Sequence, residues 1–367
     1  MKKCFIVVAA LAALVACSKN ELVPSINEIE SEISFNVAPQ VKSTTQFSTS
    51  WNFNSTAFYV NDSQTWKANS AASTTFIDNS LITYNNTDNV WRNAATKYYW
   101  PKDGKLTFFA WTCLSESSDN IENAWKVGNA NYGKSEFEVA TPNATVSVNN
   151  TDGVKVAGYS VLDNLNYDLL VADIKADQTS NSNSVYYREG VPTLFRHKLS
   201  NVLFTVKTDK DYAASGISFA VNSITFKGLD HKGTYTQGVD ASSCLGSWAN
   251  TTDVADQAYF VGVAGFAVPN NAAALPIYAC DNQYYYLPQT FSTTDNFVVN
   301  YTIDYGNGVT ETIDQTCYLN PNATSGILTA FEMGKKYTIN LIFSLNEILW
   351  DPAVEDWSDA AKDVTIL

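Results

Sequence analysis

The sequence predicts an all-β fold of the β-sandwich type, and three observations support that class. Apolar and polar residues alternate from Tyr337 to Leu345 and from Val299 to Tyr305, the spacing of strands with one buried face. Asn307 and Gly308 lie between two such runs, an arrangement typical of a β-hairpin. Helical periodicity extends over no more than a turn or two, around residues 116–125.

Composition narrows the function classes. The chain has 367 residues, 45% of them hydrophobic, and a formal charge of −14. It is long enough for two packed domains. Only three arginines are present and the basic residues form no cluster. Nucleic-acid binding, which requires a concentrated positive face, is therefore excluded.

The first seventeen residues predict an exported, lipid-anchored protein. Lys2 and Lys3 precede an apolar run at residues 5–16, which is too short to span a bilayer and fits a secretory signal. The run ends Leu-Val-Ala and is followed at once by Cys17, which resembles a bacterial lipoprotein signal with Cys17 as the acylated first residue. The alternative is an ordinary signal peptide that happens to contain a cysteine. We expect a signal peptide at residues 1–16 and a polar tether at 17–32.

Two domains are expected in the rest of the chain. A first strand with Ile33, Phe35 and Val37 on one face opens an N-terminal sandwich at residues 33–176. A polar linker at residues 177–190 separates it from a C-terminal sandwich at 191–367. Asp103-Gly104 and Asp152-Gly153 predict turns. Stretches rich in Ser, Thr and Asn predict loops at residues 43–89, 140–152 and 177–184.

The cysteines remaining after the signal have spacings without a metal-ligand pattern, and they are Cys113, Cys244, Cys280 and Cys317. In an exported chain they fit either two disulfides or four buried thiols. No metal or cofactor site is predicted. An acidic stretch has no calcium-loop spacing and is interpreted as a solvated face; its members are Glu347, Asp351, Glu355, Asp356, Asp359 and Asp363.

No catalytic residue is predicted. His197 lies among apolar neighbours, which favours a hydrogen-bonded structural histidine over a catalyst. Nine tryptophans and twenty tyrosines could line a glycan site, but strands and sandwich cores already favour aromatic residues. An enzymatic function is therefore not expected.

Four segments together resemble the fimbrillin family of Bacteroidales bacteria, whose members include the Mfa- and FimA-like pilins. The first is YYWP at 98–101 followed by GKLTFFAW at 104–111, and the second is YDLLVA at 167–172. The third, residues 191–206, contains FRHKLS and resembles the strand that opens the family's second domain. The fourth is the run from Tyr337 to Leu345, followed by VEDW at 354–357. With the lipoprotein signal, these segments cover the chain in the family's order.

The resemblance implies two tandem transthyretin-like Greek-key β-sandwich domains and a specific route of assembly. Members of the family are exported as lipoproteins to the outer membrane. A trypsin-like surface protease then removes the lipidated segment with the first strand, and another fimbrial subunit fills the vacated groove with its C-terminal strand. Such a subunit has other subunits, membrane lipid and the protease as partners, and it is located at the cell surface in a fimbrium.

Individual residues follow from that resemblance. Ile33, Phe35 and Val37 correspond to the displaced first strand, and cleavage is expected between Lys42 and Ser43. Many members carry arginine at that point, and this chain has none before Arg92, so an arginine-specific protease would not cut here. The alternative for Lys42 is a solvated loop lysine.

The candidate donor strand is Val364, Thr365, Ile366 and Leu367, with Val354 and Trp357 as further residues that fill the groove. The alternative is an ordinary final strand of the second sandwich. Two functions therefore remain open. One is a structural or adhesive fimbrial subunit assembled by donor-strand exchange, and the other is a monomeric surface lipoprotein of the same fold that binds glycan or host protein.

Overall fold

The computed structural model describes residues 31–38, 47, 49, 51–117, 120–123, 144–163, 167–180, 190–243, 245–271, 273–277, 285–323 and 326–356. Within these ranges the chain forms twenty-four strands, one α-helix of four residues and two short 3₁₀ helices. The all-β class predicted from the sequence is confirmed. None of the helices in the described ranges has the length and apolar character needed to cross a membrane.

The strands up to residue 197 are β1 (Phe35–Ala38), β2 (Phe53–Val60), β3 (Thr74–Asn85), β4 (Val90–Asn93), β5 (Lys105–Ser117), β6 (Asn120–Asn123), β7 (Thr145–Asn149), β8 (Gly153–Ser160), β9 (Tyr167–Ala172), β10 (Lys175–Gln178) and β11 (Val191–His197). The later strands are β12 (Ser200–Thr208), β13 (Ser218–Lys227), β14 (Lys232–Thr236), β15 (Ser247–Asn250), β16 (Gln257–Ala267), β17 (Leu275–Ile277), β18 (Tyr285–Tyr286), β19 (Gln289–Thr290), β20 (Asn296–Asp304), β21 (Thr310–Tyr318), β22 (Ala330–Phe331), β23 (Lys335–Phe343) and β24 (Ile348–Asp356). The helix α1 is Trp66–Asn69, and the 3₁₀ helices are Ser70–Ala72 and Ala213–Ser215.

Several predicted loops are strands. The polar stretch at residues 43–89 contains β2, α1 and β3, and β7 and β10 lie within or overlap the other two stretches. The helical turns expected at residues 116–125 are wrong, because β5 and β6 form a hairpin there. β3 was predicted to be a loop because it buries only Ile77 and Ile82 deeply. A strand so poor in apolar residues gives little alternation, although its threonines favour β structure.

Seven of the eleven strands before residue 198 build a sheet that closes on itself. Its order is β5, β2, β3, β4, β1, β11 and β9, and β9 pairs again with β5. We call this closed sheet the ring. Closure removes free edges that would otherwise be open to pairing.

The ring encloses an aromatic core. Strand alternation sends Leu106, Phe108 and Ala110 of β5 into it, with Phe53 from β2 and Phe195 from β11. The intervening residues of β5, among them Phe109, Trp111 and Cys113, belong to a second buried cluster. Both faces of β5 are therefore buried.

That second cluster lies between the ring and a four-stranded sheet in the order β15, β14, β8 and β7. Val154 and Val156 of β8 and Tyr235 of β14 face the outer side of β5 and β9 in this cluster. The sheet thus joins strands from before and after residue 197.

The expected division at residues 177–190 does not coincide with the sheets. β11 was expected to open the second domain, but it lies in the ring between β1 and β9. β14 and β15, also expected in the second domain, extend the sheet of β8. The reason is that period-two alternation shows which residues are buried without showing which strand lies alongside.

Most of the remaining strands form two sheets that pack face to face, and we call this pair of sheets the second sandwich. One sheet has the order β17, β12, β23 and β24, with β18 also on β12, and the other has the order β16, β13, β20 and β21. Their inner faces share one core, whose members include Phe204, Phe226, Phe297, Tyr301 and Leu341. β19 and β22 form a separate two-stranded sheet.

Two predicted turns are confirmed as hairpins. Asp304 pairs with Thr310 between β20 and β21, and the loop between them contains Gly306 and Gly308 with positive φ. Asn149 pairs with Gly153 between β7 and β8.

Of the four cysteines that follow Cys17, two lie in the described residues, and both are buried free thiols. Cys113 belongs to the core between the ring and the β7–β8 sheet, and Cys317 belongs to the core of the second sandwich. Cys244 and Cys280 lie outside the described residues.

Candidate functional site

The predicted first strand, β1, is one of the strands of the ring and lies between β4 and β11. Ile33 and Phe35 are each 3% exposed, and Val37 is half-buried against the same core. The sequence placed these three residues on one face, and the structure puts them together in the ring interior. We call the space that residues 31–38 occupy the first-strand groove.

Backbone hydrogen bonds hold this segment from both sides. On one side β1 runs parallel to β11, with Phe35 beside Val191, and the Val191 amide donates to the Ser34 carbonyl at 2.8 Å. On the other side the Ile33 amide donates to the Tyr98 carbonyl at 2.7 Å, and the Trp100 amide donates to the Ser31 carbonyl at 3.1 Å. Removal of the segment would leave two unpaired edges facing each other.

Contact with β4 is much shorter. Phe35 opposite Trp91 is the single register pair between β1 and β4 among the described residues. The YYWP motif therefore supplies the longer part of this wall through Tyr98 and Trp100. Its resemblance to the family lies in the part of the chain that borders the groove.

Aromatic rings line the floor of the groove. The Phe35 ring packs edge-on against Phe53, with centroids 5.5 Å apart, and against Phe108, with centroids 5.8 Å apart. Phe47 stacks on Phe195 at 5.0 Å and contacts Trp91 at 5.4 Å. Phe47 follows Lys42 in the chain and so would remain after cleavage there.

Gly190, which directly precedes β11, lies very close to the backbone of the first strand. Its φ is +85°, and a Cβ atom there would lie 2.8 Å from the backbone carbonyl carbon of Phe35. Only glycine meets both constraints without strain. Gly190 falls in the predicted linker, and its role beside the first strand was not predicted, although a glycine directly before an apolar alternating run is a signal of a close backbone approach.

An ion-pair network lies at the entrance. Glu32 accepts a hydrogen bond from Arg92 at 3.4 Å and forms an ion pair with Lys97 at 3.5 Å, and Arg92 also pairs with Asp88. Glu32, Arg92 and Lys97 also line a cavity of about 270 Å³ beside the β3–β4 hairpin. This network was not predicted from the sequence, since residues 60 positions apart carry no local signal of their contact.

The other predicted assembly residues fall elsewhere. Cys17, Lys42, Ser43 and 364–367 lie outside the described residues. Val354 lies opposite Tyr337 in β24, which pairs with β23 along its whole length. Residues 348–356 are therefore a strand of the second sandwich, and Trp357 lies outside the described residues.

His197 has a structural environment. Its Nδ1 donates to Asp168 Oδ2 at 2.6 Å, and both side chains are buried where β11 pairs with β9. Burial raises the pKa of the neighbouring Cys113 thiol well above its usual value, and the Asp168 carboxylate raises it further. The group is enclosed in a packed core, which fits the predicted structural role.

The acidic stretch is partly neutralised across β24. Asp356 pairs with Lys335 at 2.5 Å, and Glu355 pairs with Lys336 at 3.6 Å. In the described part of the chain, three or more His, Cys, Asp or Glu side chains nowhere gather in a way that could hold a metal ion. The described acids of β24, Asp351, Glu355 and Asp356, are exposed.

Comparison with known proteins identifies the family. The family model for fimbrillin-like proteins matches residues 44–357, and the chain belongs to this family. No curated protein matches the chain.

A solved structure shows the same fold. The chain is similar to a fimbrial protein from Bacteroides vulgatus, with a TM-score of 0.63, 19% identity, and coverage of 89% of this chain and 99% of that one. It is also similar to a candidate cell adhesion protein from Bacteroides uniformis, with a TM-score of 0.48, 15% identity, and coverage of 90% and 99%. A fimbrial assembly protein from Parabacteroides distasonis has a TM-score of 0.37, 12% identity, and coverage of 88% and 98%.

Proposed function

We propose that this protein is a structural or adhesive subunit of a cell-surface fimbria, assembled by protease-triggered donor-strand exchange. The observation that carries the proposal is the first-strand groove. One short segment holds the ring closed through backbone hydrogen bonds on both edges and two deeply buried side chains. Such a segment can be replaced by another extended chain that supplies the same bonds and apolar groups.

The energetics of exchange favour a long-lived product. Burial of Ile33 and Phe35 contributes on the order of 3–6 kcal/mol, at about 1.5–3 for each side chain. An incoming strand with equivalent side chains regains that contribution and re-forms the ladder bonds. Cleavage makes the step directional, because the original strand is then no longer tethered to the domain.

Cleavage is proposed between Lys42 and Ser43 by a trypsin-like surface protease. These residues lie between β1 and Phe47, so a cut there separates the first strand from the remaining core. Acylation of Cys17 would hold the uncut chain to outer-membrane lipid, since each buried CH₂ contributes about 0.8 kcal/mol. The same cut would release the subunit from its lipid anchor.

The donor is proposed to be residues 364–367. These residues follow β24, whose pairing with β23 already completes that edge of the second sandwich. A donor beyond β24 can leave its own domain without breaking that pairing. The partners are accordingly other fimbrial subunits, and an enzymatic role is not proposed.

The test is the N-terminus of the protein in native envelopes, determined by peptide mapping and intact mass. A start at Ser43 without lipid supports the proposal, and a lipidated start at Cys17 in assembled material overturns the cleavage step. Lys42→Ala should abolish processing, whereas the matched variant Lys42→Arg should preserve it. Uncut, monomeric and lipidated protein would favour a surface lipoprotein that binds glycan or host protein.

Truncation after Asp356 tests the donor. It leaves β24 intact and removes only residues 357–367. We expect the truncated chain to be folded, processed and unable to form heat-labile, detergent-resistant ladders. Ladders of wild-type length would contradict the assignment of the donor to this segment.

A further inference from the structure

We propose that Arg92 and Lys97 form a carboxylate receptor that fixes the register of the incoming strand, and that Asp363 of a second copy of this chain is its ligand. This inference rests on the proposed function, since it concerns the same groove. It adds the partner and the residue that aligns it.

The receptor is visible with the first strand in place. Arg92 and Lys97 converge on the single carboxylate of Glu32, at 3.4 and 3.5 Å. Arg92 also forms an ion pair with Asp88, four residues earlier in the same hairpin. Arg92 and Glu32 have only 23% and 20% of their side chains exposed, so the contact is partly shielded from water.

Loss of the first strand would unbalance this site. Glu32 leaves with the strand, whereas Arg92 and Lys97 stay on the ring beside the cavity that they line. With the first strand in place two acids, Glu32 and Asp88, face two bases, and after its loss Asp88 is the one described acid of the network that remains. A strand that brings a carboxylate to the same point restores the charge balance, and a strand shifted by one residue does not.

The chain contains a second copy of the required pattern. The first strand has Glu32-Ile33-Ser34-Phe35, in which an acid is followed by an apolar residue, a hydroxyl residue and an apolar residue. Residues 363–366 have Asp363-Val364-Thr365-Ile366, which is the same order of side-chain types. In this alignment Val364 takes the position of Ile33, and Ile366 takes the position of Phe35.

Another acid-led segment is already engaged. Glu347 precedes Ile348 and Trp350 with similar spacing, but both apolar side chains are buried in the second sandwich and β24 is paired with β23. Residues 363–366 lie beyond β24. The alignment also sets a direction, because a strand that repeats the first-strand register runs parallel to β11.

The test is a charge swap in full-length chains expressed in a strain that lacks its own copy. Asp363→Lys should reduce the amount of detergent-resistant ladder at least tenfold. Asp359→Lys makes the same charge change four residues away and should leave the ladder within twofold of wild type. Equal ladders from Asp363→Lys and wild type would overturn the proposal.

Reversing the charges of the groove as well tests whether Arg92 and Lys97 are the residues that bind Asp363. Arg92→Glu and Lys97→Glu, combined with Glu32→Lys so that the first strand keeps opposite charges, should restore ladders when placed in the Asp363→Lys chain. Failure to restore them in a chain that unfolds at the wild-type denaturant concentration would overturn the role of Arg92 and Lys97. Absence of ladders from the wild-type chain would instead contradict strand exchange itself, so the two proposals fail differently.

Discussion

Gly190 and Phe35 lie so close that a Cβ atom on residue 190 would come within 2.8 Å of the Phe35 carbonyl carbon. This contact joins the start of β11 to the first strand, and the Val191 amide bonds the Ser34 carbonyl immediately beside it. The width of the first-strand groove is therefore set by the absence of a side chain at residue 190.

Gly190→Ala should destabilise the ring. Left-handed backbone costs a non-glycine residue on the order of 1 kcal/mol, and the clash with a backbone atom adds about 1–3 kcal/mol. Gly308→Ala is the matched control, because its φ is +82° and nothing lies within 4 Å of its Cβ position. Denaturant unfolding should show a larger loss for Gly190→Ala than for Gly308→Ala. Equal losses would mean that the approach of Phe35 carries no cost.

Phe35→Ala should loosen the first strand. The change removes a buried ring that contacts Phe53 and Phe108, and large-to-small substitutions of phenylalanine in cores cost about 3–5 kcal/mol. Asn36→Ala changes the exposed neighbouring residue and should stay within about 0.5 kcal/mol of wild type. Hydrogen exchange at the Val191 amide reports on the strand directly. Unchanged protection in Phe35→Ala would show that backbone bonds alone hold β1.

Sequence periodicity predicted individual strands better than their partners. The run at Tyr337 became β23, and the runs on either side of Asn307 became β20 and β21. Each has one face on a core, so each alternates. Alternation cannot show that β11 closes the ring beside β1, because a residue buried against one sheet has the same chemistry as a residue buried against another.

The groove was predictable only in part. Ile33 and Phe35 carry the alternation of a strand, and the family resemblance placed that strand first. The contacts of Glu32 with Arg92 and Lys97 depend on chain reversal through β2, β3 and β4, and polar residues at such distances have no periodic signal. The polar strand β3 was missed for a related reason, since most of its side chains are only partly buried.

Gln315→Ala should open one side of the second sandwich. The Gln315 side chain bonds both backbone groups of Ile348, donating to its carbonyl and accepting from its amide, each at 2.8 Å. It thereby joins β21 in one sheet to β24 in the other. Loss of both bonds should cost about 1–3 kcal/mol.

The measurement is amide exchange at Ile348 together with denaturant unfolding. Thr316→Ala, at the next and exposed position of β21, is the control and should be near neutral. Wild-type protection of Ile348 in Gln315→Ala would show that the pairing of β24 with β23 is sufficient to hold this edge.

Cys317 should make the protein less stable in alkali. Burial raises the pKa of its thiol from 9.0 to about 12. Between those values the unfolded chain has lost the proton and the folded chain keeps it, so unfolding releases a proton and the free energy of unfolding falls as pH rises. One such group changes stability by about 1.4 kcal/mol per pH unit within that window. Wild type should therefore lose about 2 kcal/mol more than Cys317→Ala between about pH 8.5 and pH 10.5. Comparing the change with pH within each protein removes the constant cost of the cavity that alanine leaves. Parallel pH profiles for the two proteins would mean that the folded thiol ionises as readily as the unfolded one.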